Sequence, residues 1–259
     1  MEIGGLRTTI QSSHAEVAAV VADRYAGFLT GGPAHWRIDT GLRAEGLVAL
    51  EDVAVRGAGD GRLTLERHDF VATLDLPARA GTLALGAVDP IAIDTFLRVA
   101  YSLALLESRA LLVHAASLAC DGVAWVFPGP SGSGKTTLTR LSPEATLLGD
   151  EIAIVRLAED ERPRCHGSPF WGELGEPGCN AAVPVRAIHF LRHADRHTVT
   201  PLGRRRALAA LLPNVLFFAA EPGLVARVLD VAAALVERVP CFTLGFRPEA
   251  SVWDAIRDA

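Results

Sequence analysis

Lysine is almost absent from this chain. Of the 25 Lys and Arg among its 259 residues, 24 are Arg and one is Lys135. Other features are scarce in ways that exclude whole classes. The four cysteines, Cys120, Cys165, Cys179 and Cys241, form no C-x-x-C pair, and the eight His are scattered with no pair at metal-ligand spacing. A zinc site and a disulfide framework are therefore not expected, and the cysteines read as reduced thiols of a cytoplasmic protein. The opening residues MEIGGLRTTIQSSHAE lack a signal-peptide core. The longest apolar run, 207–220, is interrupted by Pro213 and Asn214, so no membrane partner is expected. A net charge of −5 argues against nucleic acid held by bulk electrostatics. Repeats and low-complexity segments are missing as well.

Half of the residues are hydrophobic, and a chain of this length can bury a substantial core. Residues 1–88 read as a small N-terminal α+β region. A helix is expected over about 13–28. Short alternating runs follow near 35 (HWRIDT), 62 (RLTLER) and 70 (FVATLDL), separated by turn signals that predict antiparallel hairpins. Asp89-Pro90 has the form of a helix start, and apolar residues recur at helical spacing to about Ser108. Two strands, 111–119 and 122–129, are joined by a tight Cys-Asp-Gly turn. A glycine-rich loop and a short helix over 134–141 come next. The strand 145–150 leads into 151–157, and a loop-rich stretch, HGSPFWGELGEPG, precedes a strand at 185–193. Helices over about 204–212 and 222–237 close the pattern.

The chemistry concentrates in FPGPSGSGKTTLTRL. Gly129, Pro130, Ser131, Gly132, Ser133, Gly134, Lys135 and Thr136 match G-x-x-x-x-G-K-[ST] in full, between a strand and a helix, with Thr137 following. In such a loop the glycines let successive N–H groups turn toward phosphate oxygens. Lys135 is expected to reach the β/γ-phosphates of ATP, and Thr136 to ligate Mg²⁺. The single lysine fits this reading, because a compact ammonium nestles where a planar guanidinium does not. It also excludes a GTPase with the N-K-x-D guanine motif, which needs a second lysine. An ABC-type ATPase is excluded by the missing LSGGQ-like signature.

Asp150-Glu151 follows Lys135 after one short helix. The immediate crossover predicts that this acidic strand neighbours the loop strand, with its C-terminal end beside the phosphates. One carboxylate of the pair is then expected to act, as acceptor-orienting group or as metal ligand. His114 lies in the strand ahead of the loop.

The ordered set LLVHAASLACDGVAWVFPGPSGSGKTTLTRL…ATLLGDEIAIV resembles the catalytic domain of the HPr kinase/phosphatase family, over roughly 89–220. It is most similar to the shorter bacterial members, some of them from peptide-modification gene clusters. Ser168-Pro-Phe-Trp-Gly172 resembles a Pro-Phe-containing loop found after the acidic pair in that family. The resemblance implies an α/β fold, a P-loop-containing nucleotide core of the HPr kinase-like and PEP carboxykinase-like type, spanning 89–259. It implies that Asp150 is the catalytic aspartate, with Lys135 and His114 beside it. Glu151 falls where the family has a second Asp and joins Thr136 and Asp150 as a candidate metal ligand.

The function expected is that of an ATP- and Mg²⁺-dependent kinase acting on a hydroxyl of a peptide, protein or small molecule. A non-catalytic ATP-binding regulatory module is the alternative, and a PEP carboxykinase-like enzyme ranks below it, because no lysine is left to bind a second metal. Region 1–88 is expected to select the acceptor, and a homo-oligomer is compatible with the sequence. Arg204-Arg205-Arg206 reads as a solvated helix start or a phosphate clamp. Phe170 and Trp171 read as a packed turn or an acceptor pocket.

Overall fold

The computed structural model describes residues 1–43, 47–57 and 59–258. They form two compact units, residues 1–107 with 217–226, and residues 108–216 with 227–259.

In the first unit the sheet runs β1 (Glu2–Ile3), β2 (Leu6–Ser12), β3 (Trp36–Leu42), β7 (Ala80–Leu85), β6 (Phe70–Asp75), β5 (Arg62–Arg67) and β4 (Ala54–Gly57). Its strands alternate: Leu63 and Leu65, Phe70, Ala72 and Leu74, and Leu83 and Leu85 are buried at two-residue intervals. Helices α1 (Ala15–Arg24) and α2 (Pro90–Ala104) pack together, α1 against β2 and α2 against β6. Asp89 caps α2, its carboxylate accepting from the Ile91 N–H at 2.9 Å. Buried Asp94 accepts from Arg24 Nε at 3.1 Å, Tyr25 Oη at 3.0 Å and Arg98 Nε at 2.8 Å. The chain's other tyrosine, Tyr101, donates to Thr8 Oγ1 at 2.8 Å, so each buried phenol is satisfied.

The second unit is built on β8 (Ala110–Cys120) and β9 (Val123–Pro128). Asp121 and Gly122 both have positive φ, 52° and 77°, as a two-residue hairpin turn of primed type requires. The remaining strands are β10 (Thr146–Gly149), β11 (Ile152–Leu157), β12 (Pro163–His166), β13 (Ala182–His193), β14 (Thr198–Pro201) and β15 (Cys241–Phe246). β8 pairs β11, β11 pairs β12, β12 pairs β13, β13 pairs β9 and β9 pairs β8, which closes a ring of five strands. β10 extends from the β11 edge of β8, and β15 and β14 extend from β13. Helices α3 (Lys135–Arg140), α4 (Arg204–Leu211), α5 (Pro222–Arg238) and α6 (Val252–Arg257) complete the chain. Ala116 and Leu118 of β8, Trp125 and Phe127 of β9, Leu138 of α3 and Trp253 of α6 share one apolar cluster. Trp253 Nε1 donates to Ser142 Oγ at 2.7 Å.

The fold is thus mixed α/β, with several departures from the sequence reading. In the N-terminal region β5 and β6 form an antiparallel hairpin as expected; β7, which the sequence reading did not include, pairs antiparallel with β6, but β2, β3 and β7 pair in parallel. The sequence boundary at 88/89 falls ahead of α2, whereas the first unit contains that helix, because its apolar face packs on β6 and α1. The helix at 222–238 does not close the chain: β15 and α6 follow. No helix among the described residues is long and apolar enough to cross a membrane.

Candidate functional site

The glycine-rich loop leaves the C-terminal end of β9. Two residues of it, Gly132 and Gly134, have φ of 77° and 101°, values that favour glycine. A Cβ on Gly134 would meet the Phe246 ring at 2.7 Å, and one on Gly129 would meet Ser133 Cβ at 2.9 Å. The loop is therefore a tight cradle that side chains at these two positions would fill. Ser133 N donates to Pro130 O at 3.2 Å, and the Ser133 hydroxyl is buried without a partner. Lys135, only 7% exposed, curls back so that Nζ donates to Gly129 O at 2.9 Å and Pro130 O at 3.1 Å. Burial lowers its pKa, while the nearby carboxylates of Glu151, Glu173 and Asp150 oppose that shift.

Strand register explains the neighbourhood. β10 and β11 pair antiparallel with β8, as β9 does on its opposite edge. The acidic strand therefore does not neighbour the loop strand as expected; β8 lies between them. The crossover through α3 skips one strand, so β9 and β10 run in the same direction and end at the same side of the sheet. The pairs Ala115↔Pro128 and Ile152↔His114 put His114 in the row between the loop and the acidic pair. Gly129 N donates to His114 O at 3.3 Å, and Ala115 N to Glu151 O at 3.1 Å. His114 Nε2 lies 3.5 Å from Glu151 Oε1, both side chains being partly exposed. On the other flank, His193 Nε2 lies 2.9 Å from Gly132 O.

Asp150 and Glu151 occupy different settings. Asp150 is 2% exposed, and its Oδ1 and Oδ2 accept from Gly172 N at 2.9 Å and Leu174 N at 3.0 Å. It thereby anchors the turn that carries Glu173. Glu151 is the carboxylate that Lys135 feels most. Glu173 escaped the sequence reading; its signal was an acid inside the glycine-rich GELG, three residues after the Pro-Phe pair. Thr136 and Thr137 are partly exposed on the first turn of α3. No group of three or more His, Cys, Asp or Glu that could hold a metal occurs among the described residues. Thr136, Asp150 and Glu151 would therefore hold Mg²⁺ only together with phosphate oxygens, as is usual for this ion.

The remaining candidates lie apart from this cluster or have structural settings. Phe170 is fully buried, its N–H donating to Ser168 Oγ at 3.2 Å, which is the packed-turn reading. Arg204 pairs with Glu237 at 3.1 Å on an exposed surface.

Residues 89–259 match the family model described as "ScmC: SynChlorMet cassette protein ScmC". That match covers about two thirds of the chain, and the chain belongs to this family. The resemblance to the HPr kinase/phosphatase family is corrected by this finding. The features that carried it, a histidine, a hairpin, a phosphate-type loop and an acidic pair, are local in the sequence and did not identify the family. No curated protein matches the chain.

Two histidines of this unit make its stability pH-dependent. Burial pushes His189 and His166 down from 6.5 to about 4, with Arg156 and Arg164 adding to the effect at His166. An unfolded histidine takes up a proton below about pH 6.5, whereas these do so only near pH 4. Their contribution is thus fully present above pH 6.5 and is lost as pH falls toward 4. Urea unfolding at pH 7 and at about pH 4.5 is expected to show a drop of about 2–3 kcal/mol from His189 alone. His189→Phe is expected to flatten the profile by that amount.

Proposed function

We propose that the protein is a phosphotransferase that binds ATP with Mg²⁺ on residues 129–137 and transfers the terminal phosphoryl group to a hydroxyl of a peptide, protein or small molecule. The observation that carries this reading is the setting of Lys135. The chain's one ammonium is buried in a glycine cradle, on two loop carbonyls, within electrostatic reach of three carboxylates. The donors present fit a polyphosphate: Nζ can exchange its two carbonyls for phosphate oxygens, and the orphaned Ser133 hydroxyl gains a partner. ATP supplies the phosphoryl group, and Mg²⁺ neutralises its charge.

In this scheme Lys135 holds the phosphates, and Glu151 orients the acceptor hydroxyl with His114 beside it. The acceptor oxygen bonds to the terminal phosphorus, the bond to the nucleoside diphosphate breaks, and the hydroxyl proton passes to the Glu151 carboxylate. Asp150 keeps the 172–174 turn, and with it Glu173, against the site. A non-catalytic, nucleotide-sensing module is the second reading, favoured by one observation: both oxygens of Asp150 are already engaged by backbone amides.

The test is transfer of label from γ-labelled ATP, with Mg²⁺, to a lysate of the source organism. The wild type is expected to label an acceptor, and Glu151→Gln to do so about 10²-fold more slowly or worse, with ATP affinity nearly unchanged. ATP bound tightly by both proteins, with no label moved by either, would establish the sensing module instead.

A further inference from the structure

One side chain at the cradle has no part in the transfer itself. His193 is the last residue of β13, and Phe246, the last residue of β15, is its register partner. β13 runs parallel to β9 as well as to β15, so all three strands end on the side where the glycine-rich loop leaves β9. The two partners meet the loop at its two glycines of positive φ. The Phe246 ring closes against Gly134, and His193 Nε2 lies 2.9 Å from the carbonyl oxygen of Gly132.

A carbonyl only accepts, so His193 Nε2 carries a proton and donates it to Gly132 O. The planar trans peptide after Gly132 points its C=O and its N–H in opposite directions. With Gly132 O fixed on His193, the Ser133 N–H is aimed back into the loop, where it donates to Pro130 O at 3.2 Å. Pro130 O also accepts from Lys135 Nζ at 3.1 Å. The peptide that His193 holds is thus the one whose N–H shares an acceptor with the ammonium assigned to the phosphates. Packing does not fix this peptide, because a Cβ on Gly132 would meet open space, and glycine has more backbone freedom to lose than any other residue. An anchor from a strand removes part of that freedom before a ligand arrives, which lowers the ordering cost of binding.

We infer that His193 is a positioning residue: it presets the Ser133 N–H, and with it the cradle around Lys135, for the phosphate chain of a nucleoside triphosphate. This deepens the phosphotransferase reading given above and rests on it. His193 touches neither the base nor the acceptor in this scheme. Its effect therefore falls on phosphate affinity, equally for ATP and for bare tripolyphosphate. His193 is exposed, so its replacement leaves the core as it is.

The test titrates the full chain, in the presence of Mg²⁺, with ATP and separately with inorganic tripolyphosphate, using the wild type, His193→Ala, His193→Phe and His193→Gln. One exposed hydrogen bond sets the scale: His193→Ala and His193→Phe are expected to weaken both ligands about fivefold, at unchanged melting temperature. His193→Gln, whose carboxamide N–H has a reach similar to that of Nε2, is expected to bind both like the wild type. Hydrogen exchange in the unliganded protein gives a readout free of nucleotide. The Ser133 amide is expected to exchange about fivefold faster in His193→Ala, and at the wild-type rate in His193→Gln. Wild-type affinity or wild-type Ser133 exchange in His193→Ala would overturn the proposal. So would a Gln variant as weak as the Ala one, or a loss seen with ATP but not with tripolyphosphate, which would place His193 at the base. A wild type that binds neither polyphosphate would overturn the nucleotide reading itself, and this proposal with it.

Discussion

Lys135→Ala is expected to remove ATP binding almost completely, lowering affinity by about 10²–10³-fold, while leaving the melting temperature unchanged or slightly raised. The two halves of this result have separate causes. Hydrogen bonds to charged groups contribute about 1.5–3 kcal/mol each, and Lys135 Nζ would make at least two of them to phosphate oxygens. No other lysine exists to substitute for it. In the unliganded protein, however, the ammonium is a burden: it is 7% exposed, and burial lowers its pKa. Its removal relieves that desolvation. Lys135→Arg is expected to fail nearly as badly, because a planar fork does not enter a cradle closed by Gly129 against Ser133. Calorimetric titration with Mg²⁺-ATP, alongside thermal melts of both variants, makes the measurement. Retention of wild-type affinity by Lys135→Ala would remove the loop from the functional site.

Asp150→Asn is expected to cost about 2–4 kcal/mol of stability as well as activity, although the two side chains have nearly the same shape. Each oxygen of Asp150 accepts one backbone N–H, from Gly172 and from Leu174. Asparagine offers one oxygen and one NH₂ group, so a donor must face a donor inside a site that is 2% exposed. One charge-assisted bond is lost and one amide is left buried without a partner, which sets the magnitude. The turn that carries Glu173 then loosens. Hydrogen exchange at the Gly172 and Leu174 amides reads this directly, and both rates are expected to rise by about tenfold or more. A group that only accepts a proton from the acceptor would behave otherwise: Asp150→Asn would slow transfer without touching stability or exchange. Unchanged exchange at both amides would therefore return Asp150 to the role of base.

The parts of the site legible in the sequence were those that a short segment determines alone. The hairpin into the loop follows from Asp121-Gly122 at positive φ, the α2 start from an Asp cap followed by Pro, and the cradle from glycines at 129, 132 and 134. Helical spacing located α2, and helices were also expected at the places of α1, α4 and α5. What escaped was non-local. β15 is a six-residue run whose place depends on parallel pairing with β13, some fifty residues earlier in the chain. β2 and β7 were missed in the same way, since each pairs in parallel with β3.

The sequence by itself determined that one ammonium, one glycine cradle and one acidic pair belong to a single short strand–loop–helix–strand segment, because turn chemistry and spacing act within a few residues. It did not determine the family, which rests on a match running from 89 to 259. Only the tertiary structure decided that β8 stands between the loop and the acidic strand, with His114 in the row between them. Only it separated Asp150, locked to the 172–174 amides, from Glu151, turned toward His114 and Lys135. The physical reason is that both residues lie in the two-residue link between β10 and β11, and what each side chain meets there depends on segments brought in from elsewhere in the chain: the 172–174 amides for Asp150 and His114 of β8 for Glu151.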